Sequence, residues 1–234
     1  MNVLAISCHP DDMEIHCGGT LLRCKKRGDN VTVCHVANGS MGHVVIEPEE
    51  LRRVRIAEAQ KSGAMAGFHV VTCDVGDLDV NAAEKAQMDR LVEIIRAADP
   101  DFIITHAPND YMGDHVETSK LAFKASFMAT VPHYEPQLGK ACKVVPIFYM
   151  DNSNSVDSEP TEYVDITDEL ETKLQMLACH ESQLVWLKDH DDCDVLEDTR
   201  VLARFRGLQC GVKYAESFRI CNVSGRLTTR RMLP

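Results

Sequence analysis

Short apolar runs alternate with segments of helical periodicity through the first half of the chain, and this alternation constrains the fold more than any other sequence feature. The apolar runs are predicted strands at residues 3–7, 31–36, 70–73 and 102–105. The intervening segments are predicted helices over about residues 21–27, 49–66 and 82–98. Strands that alternate with helices form a parallel sheet with helices on both faces. The pattern therefore predicts an α/β chain.

The second half of the chain is less regular, but it contains no clear linker, internal repeat or low-complexity tract. Asp114 precedes Glu117 by three residues, the spacing of a capping box, and predicts a helix that runs to about residue 128. Further predicted elements are strands at residues 144–150 and 163–166, a helix at 168–180 and a solvated acidic loop at 189–194. We expect one domain, residues 1–234, with a Rossmann-like three-layer α/β fold and a mostly parallel sheet.

Charge and hydropathy exclude several classes of partner. The 25 Lys and Arg residues against 36 Asp and Glu residues give a net charge of −11, which repels phosphate backbones and anionic lipid. No apolar run approaches the ~20 residues of a bilayer span, and the N-terminus lacks the basic region of a signal peptide. We therefore expect a cytoplasmic protein that binds neither nucleic acid nor membrane.

The chain carries ten cysteines, and none of them forms a C-x-x-C pair. This spacing indicates neither a zinc ribbon nor a redox dithiol. Since no export signal is present, we expect reduced thiols that serve mostly as small core residues.

Polar side chains follow the first and fourth predicted strands. His9 and Asp12 come directly after the first strand, and His115 lies beyond the fourth. Because ligands of doubly wound sheets bind beyond the carboxyl ends of the strands, we expect these side chains to face one cleft. A histidine and a carboxylate three positions apart can converge on a divalent cation, and His115 can supply a third ligand. Three such ligands leave a coordination position open for water, as in catalytic zinc sites.

Asp11 is adjacent to Asp12 but is not needed as a ligand. It is therefore a candidate base that takes a proton from water activated by the cation, and hydrolysis of an acyl bond follows. The spacing alone leaves a structural interpretation open, because H-x-x-D occurs often by chance and Pro10 can simply mark a turn.

Several segments resemble one known family. Residues 6–15, ISCHPDDMEI, followed by CGGT at 17–20, resemble the opening signature of the PIG-L/LmbE family, zinc-dependent N-deacetylases of N-acetylglucosamine conjugates. The similarity continues at residues 55–59 (RIAEA) with Gly67, at Asp77, at residues 108–115 and at residues 180–183 (HESQ). The resemblance thus spans nearly the whole chain.

This resemblance implies a role for each site residue. His9, Asp12 and His115 correspond to the zinc ligands, and Asp11 corresponds to the general base. Asp114 corresponds to the aspartate beside the last ligand, which orients a histidine or tunes the base. Zn²⁺ is the expected cofactor, although a set of two histidines and one aspartate also accepts Fe²⁺, Co²⁺ or Mn²⁺.

Two further positions resemble sugar-contacting residues of the family, Arg55 and Asp77. Considered without the resemblance, Arg55 is equally consistent with a surface salt bridge and Asp77 with a turn aspartate.

The sequence departs from the family at the second metal segment. Many relatives have H-P-D-H where this chain has Met112-Gly113-Asp114-His115, so a histidine credited with stabilising the tetrahedral intermediate or assisting the base is absent. A methionine can do neither. His16 and His106 are candidate replacements, and a structural role stays open for both.

The resemblance implies a zinc-dependent hydrolase of a linear amide C–N bond, a de-N-acetylase, that acts on an N-acetylated amino sugar or its conjugate and assembles as a homo-oligomer. The alternative is a metal-dependent amidohydrolase of a different small acylated or carbamoylated metabolite, marked by Met112. A catalytically silent metal protein is disfavoured because Asp11 is retained. A dinucleotide-binding module is weaker still, since residues 17–20 do not match G-x-G-x-x-G.

Overall fold

The computed structural model describes residues 1–152 and 159–234, and a sheet organises these residues. Its strands are β1 (Asn2–Ser7), β2 (Asn30–Ala37), β3 (His69–Val75), β4 (Phe102–Thr105), β5 (Ile147–Met150), β6 (Glu162–Asp165) and β7 (Ala215–Ile220). The strand order is β3-β2-β1-β4-β5-β7-β6. The pairs from β3 to β5 are parallel, whereas β7 runs antiparallel to both β5 and β6.

Helices cover both faces of this sheet. They are α1 (Asp12–His16), α2 (Gly18–Lys26), α3 (Pro48–Ala66), α4 (Lys85–Ala98), α5 (Gly113–Met128), α6 (Leu170–Leu177), α7 (Glu181–Asp191) and α8 (Val195–Cys210). Alternate residues of β4 point to opposite faces, so Phe102 and Ile104 join the apolar cluster under α1, α2 and α6, and Ile103 joins the cluster under α4 and α5. The three-layer α/β fold with a mostly parallel sheet is therefore confirmed.

Two details of the second half differ from the prediction. The acidic stretch 189–194 is not one solvated loop, because α7 continues to Asp191 and the Asp194 carboxylate caps α8 by accepting from the Glu197 N–H. The capping box is also wrong: α5 begins at Gly113, so Asp114 lies inside its first turn. The Glu117 carboxylate instead accepts a hydrogen bond from the Ala82 N–H. The 189–194 stretch is polar except for Cys193, so hydrophobic periodicity carries little information there. The Asp114 carboxylate is buried and accepts from the Leu78 N–H, so it does not cap its own helix.

The topology places a crevice at the carboxyl ends of β1 and β4. Strands β2 and β3 lie on one side of β1, and β4 and β5 lie on the other, so the direction in which strands are added reverses between β1 and β4. This reversal is called the topological switch point, and ligands of open α/β sheets bind there. The segments after these two strands, residues 8–12 and 106–115, therefore lie where a ligand is expected.

Among the helices of the described part of the chain, none combines the length and the apolarity needed to cross a bilayer.

Candidate functional site

His9, Asp12 and His115 converge at the β1/β4 switch point. Ligand atoms of these three residues, together with Cys8 Sγ, all lie within 4.8 Å of one another. The His115 Nε2 atom lies 3.4 Å from Asp12 Oδ1, and the two histidine ring centroids are 5.4 Å apart. The structure thus brings together the three residues that the sequence predicted as metal ligands.

A strained turn presents the first two of these residues. The chain leaves β1 at Ser7 and enters α1 through Asp11, whose φ of 108° lies in a region that L-residues rarely adopt. Asp12 is the first residue of α1, and its Oδ2 accepts a 2.6 Å hydrogen bond from the His9 backbone N–H. Such strain persists only where surrounding contacts hold it, and it concentrates at functional sites.

His115 lies in the first turn of α5 and is oriented by a carboxylate that the sequence reasoning missed. Its Nδ1 atom is 3.2 Å from the Asp110 Oδ2, which leaves Nε2 directed at Asp12. Burial lowers the pKa of His115, but the Asp12 and Asp110 carboxylates outweigh burial and raise that pKa to about 10. The site therefore favours positive charge between its carboxylates. The sequence did contain a sign of this contact, because Asp110 precedes the candidate ligand His115 by five residues in the same segment.

The residues present fit a divalent cation. His115 Nε2 is buried and has no hydrogen-bond partner among the residues that the structure describes, although it faces the Asp12 carboxylate. Two imidazoles and one carboxylate form a donor set that binds zinc and also suits iron, cobalt or manganese.

Asp11 is held by Arg55. Its Oδ2 atom lies 3.1 Å from the Arg55 Nη2, which also donates a hydrogen bond to the Pro10 carbonyl. Burial raises the pKa of Asp11, and the Arg55 guanidinium opposes this rise. The structure therefore places Arg55, a predicted sugar contact, in the protein interior against Asp11 and the backbone.

Two aspartates connect the surrounding loops to the site. Asp114 Oδ2 accepts a 2.7 Å hydrogen bond from the Leu78 N–H and lies 3.4 Å from the His9 Nε2. Asp77, the other predicted sugar contact, accepts hydrogen bonds from the Gly39 and Met41 N–H groups at 2.7 and 2.9 Å. Asp114 therefore contacts a candidate ligand, and Asp77 fixes the loop that follows β2.

His106 and His16 lie on the interior side of the ligands. His106 Nε2 accepts a 2.9 Å hydrogen bond from the Cys8 N–H, lies 3.3 Å from Asp12 Oδ2, and its ring stacks on that of His115. Burial lowers the pKa of His106 to about 4, so this imidazole is neutral. His16 is buried with its ring edge-on to His106 at 6.3 Å. His106 therefore packs against the candidate ligands Asp12 and His115, and His16 packs behind His106.

The segment of residues 180–183 joins parts of the site that are distant in sequence. Three of its contacts are His180 Nε2 to Glu14 Oε1 at 3.0 Å, Ser182 Oγ to Glu58 Oε2 at 2.7 Å and Gln183 Nε2 to the Gly42 carbonyl at 2.8 Å. It therefore ties α1, α3 and the loop after β2 together. The sequence identified this segment by resemblance but gave no indication of these partners.

Comparisons with known proteins agree with this geometry. The family model described as GlcNAc-PI de-N-acetylase, PIG-L, matches residues 4–126, more than half of the chain. A similar curated protein is the diacetylchitobiose deacetylase of Thermococcus kodakarensis, 28% identical over 93% of this chain and 82% of the relative. The solved N,N'-diacetylchitobiose deacetylase of Pyrococcus horikoshii superposes with a TM-score of 0.82 at 26% identity, over 95% of this chain and 84% of that one.

A relative with a different reaction is also found. The 4-oxalmesaconate hydratase of Pseudomonas putida is 25% identical over 78% of this chain and 74% of its own length. Similar chains thus include both deacetylases and a hydratase.

Proposed function

Since this chain belongs to the PIG-L family, described as GlcNAc-PI de-N-acetylase, we propose that it is a metal-dependent hydrolase that removes the acetyl group from an N-acetylated amino sugar or its conjugate. The observation that carries this proposal is the convergence of His9, Asp12 and His115, with Asp11 held beside them. Two of the similar proteins are named as deacetylases of diacetylchitobiose.

We assign His9, Asp12 and His115 as the ligands of one divalent cation, with zinc as the first choice and Fe²⁺, Co²⁺ or Mn²⁺ as alternatives. When bound, such a cation polarises the amide carbonyl and makes water a nucleophile near neutral pH. Asp114 lies against His9 and Asp110 against His115, so each carboxylate fixes the orientation of one imidazole.

Asp11 acts as the general base in this proposal. It accepts a proton from the attacking water and then delivers that proton to the nitrogen of the departing amine, so that acetate and a free amino sugar are released. Arg55 keeps Asp11 oriented and favours its ionised form. The thioether of Met112 donates no proton, and the buried His106 already accepts the Cys8 N–H, so Asp11 carries both proton transfers.

A second candidate is the addition of water to a carbon–carbon double bond, which the Pseudomonas putida relative favours. A cation and an adjacent base can serve that reaction as well. A third is hydrolysis of another acylated or carbamoylated metabolite.

The cytoplasmic location and the homo-oligomeric state expected from the sequence and the resemblance stay predictions.

The test measures bound metal and acetate release together. Wild-type protein purified without chelator should carry about one divalent metal ion per chain, the number that a single catalytic site holds, and release acetate from N-acetylglucosamine or N,N'-diacetylchitobiose. The Asp12→Ala variant should lose both properties. Metal-loaded wild type that releases no acetate from these sugars but hydrates 4-oxalmesaconate would replace the proposal with the second candidate.

A further inference from the structure

A thiol lies among the candidate metal ligands. The ligand atoms of Cys8, His9, Asp12 and His115 are all within 4.8 Å of one another, and the Cys8 Sγ is 3.7 Å from the His9 Nε2. The other cysteines of the chain belong to none of the ligand clusters that the described residues form. The sequence predicted only core packing for most cysteines, so the position of this sulfur is a result of the tertiary structure.

Backbone hydrogen bonds hold Cys8 at this position. Cys8 directly follows β1 and is fully buried. Its N–H donates a 2.9 Å hydrogen bond to the His106 Nε2, and its carbonyl accepts one of 2.9 Å from the Ala37 N–H. The residue is thus fixed by the segment after β4 on one side and by the end of β2 on the other. A donor that is fixed before the ion arrives loses little conformational freedom on binding it.

The distances between these donors suit one common ion. Bond lengths of ~2.0–2.3 Å at tetrahedral angles place the donors of a zinc ion about 3.3–3.6 Å apart. The Cys8–His9 and His115–Asp12 separations of 3.7 and 3.4 Å are close to that spacing. The four donors therefore need only small movements to reach a single cation.

A second observation supports a ligand at this point. The His115 side chain is 3% exposed, and its Nε2 faces Asp12 without a hydrogen-bond partner among the described residues. Cys8 also borders the apolar cluster under α4 and α5. Packing against that cluster requires a small side chain, but it does not require the sulfur to lie among three other donors. Metal binding accounts for both the sulfur and the imidazole nitrogen.

We propose that the Cys8 thiolate is a fourth protein ligand of the cation, and that it makes the site select zinc over manganese. This inference rests on the metal site assigned in the proposed function, but not on the reaction catalysed there. The thiol releases its proton to solvent when the metal–sulfur bond forms. Thiolate is a soft donor that favours zinc, whereas manganese is better suited to carboxylate and water. Catalytic zinc can expand to five ligands, so a fourth protein donor leaves room for a substrate.

The test loads the full chain with Co²⁺ and records its absorption spectrum. A cobalt–sulfur bond produces an intense charge-transfer band in the near ultraviolet, which wild type should show. Cys8→Ala should lose this band and keep the weaker visible bands of cobalt bound by the other three ligands. Cys221→Ala is the matched control, because Cys221 is buried in the same apolar cluster but lies outside the ligand cluster, and it should keep the band.

Metal preference gives a second readout. Competition with a chromogenic chelator measures the affinities for Zn²⁺ and Mn²⁺ in wild type and Cys8→Ala. The ratio of the two affinities should fall in the variant by at least about tenfold, the smaller effect typical of losing even an outer partner of a ligand. An unchanged ratio would contradict the selection of zinc by Cys8.

X-ray absorption of the zinc-loaded wild type needs no variant and should detect one sulfur at ~2.3 Å from the metal. A bound metal with only nitrogen and oxygen neighbours, or a charge-transfer band that persists in Cys8→Ala, would overturn this inference and leave the proposed function intact. Wild type that binds neither Co²⁺ nor Zn²⁺ would overturn the metal site and the proposed function together. A sulfur-ligated metal in a protein that releases no acetate would support this inference and contradict the proposed reaction.

Discussion

The Arg55 Nη2 atom lies 3.1 Å from the Asp11 Oδ2, and both side chains are withdrawn from solvent. A carboxylate that is desolvated in this way favours its protonated form unless a cation faces it. The candidate base therefore depends on a guanidinium from α3 for its ionisation.

Replacement of Arg55 by glutamine should shift the acidic limb of the kcat/KM profile to higher pH. Burial raises the pKa of Asp11 and Arg55 lowers it, so the variant loses the lowering contribution. Because the ionised form of Asp11 is the active base, activity at pH 6 should fall more than activity at pH 8. Arg52→Gln, on the same helix but paired with Asp74, is the control and should keep the wild-type limb. An unshifted limb in the Arg55 variant would contradict this role.

Asp11→Asn should bind metal as wild type does and lose most turnover. The amide keeps the size of the side chain but cannot accept the proton, and general-base catalysis typically contributes about 10²–10⁴-fold. Metal content by mass spectrometry and acetate release by a coupled assay separate the two effects. A variant that turns over near the wild-type rate would remove Asp11 from the mechanism.

Asp110→Asn should weaken metal binding without unfolding the chain. The Asp110 carboxylate orients His115 through its Nδ1, and loss of such a partner typically costs about 10–100-fold in metal affinity. Competition with a chromogenic chelator measures this affinity, and circular dichroism checks the fold. The exposed Asp168→Asn serves as control. Equal affinities in the two variants would show that His115 needs no orienting carboxylate.

His35 should make the protein less stable in mild acid. Burial lowers the pKa of His35 to about 4, whereas the unfolded imidazole titrates near its ordinary value of 6.5. Between these values the unfolded state binds more protons, so the free energy of unfolding falls as pH drops from 6.5 towards 4. The free energy of unfolding of wild type minus that of His35→Gln should therefore be about 2 kcal/mol smaller at pH 5 than at pH 7. Urea unfolding at the two pH values measures this difference, and a constant difference would show that His35 does not titrate.

Much of the fold follows from local patterns in the sequence. The alternation of apolar runs and helical periodicity predicts the parallel part of the sheet, because each pattern depends on neighbours within a few residues. It also places His9, Asp12 and His115 at strand ends, and the carboxyl ends of parallel strands share one edge. The sequence alone therefore determined the position of the crevice and the three candidate ligands that meet there.

The partners of these residues were decided only by tertiary structure. His106 contacts the backbone of Cys8 across 98 positions in sequence, and the Arg55 contact with Pro10 spans 45. No local periodicity encodes such distances, so neither the pairing of Arg55 with Asp11 nor the contact of Asp110 with His115 was predicted. Burial and ion pairing depend on which distant segments pack together, and they set the protonation and orientation of the site.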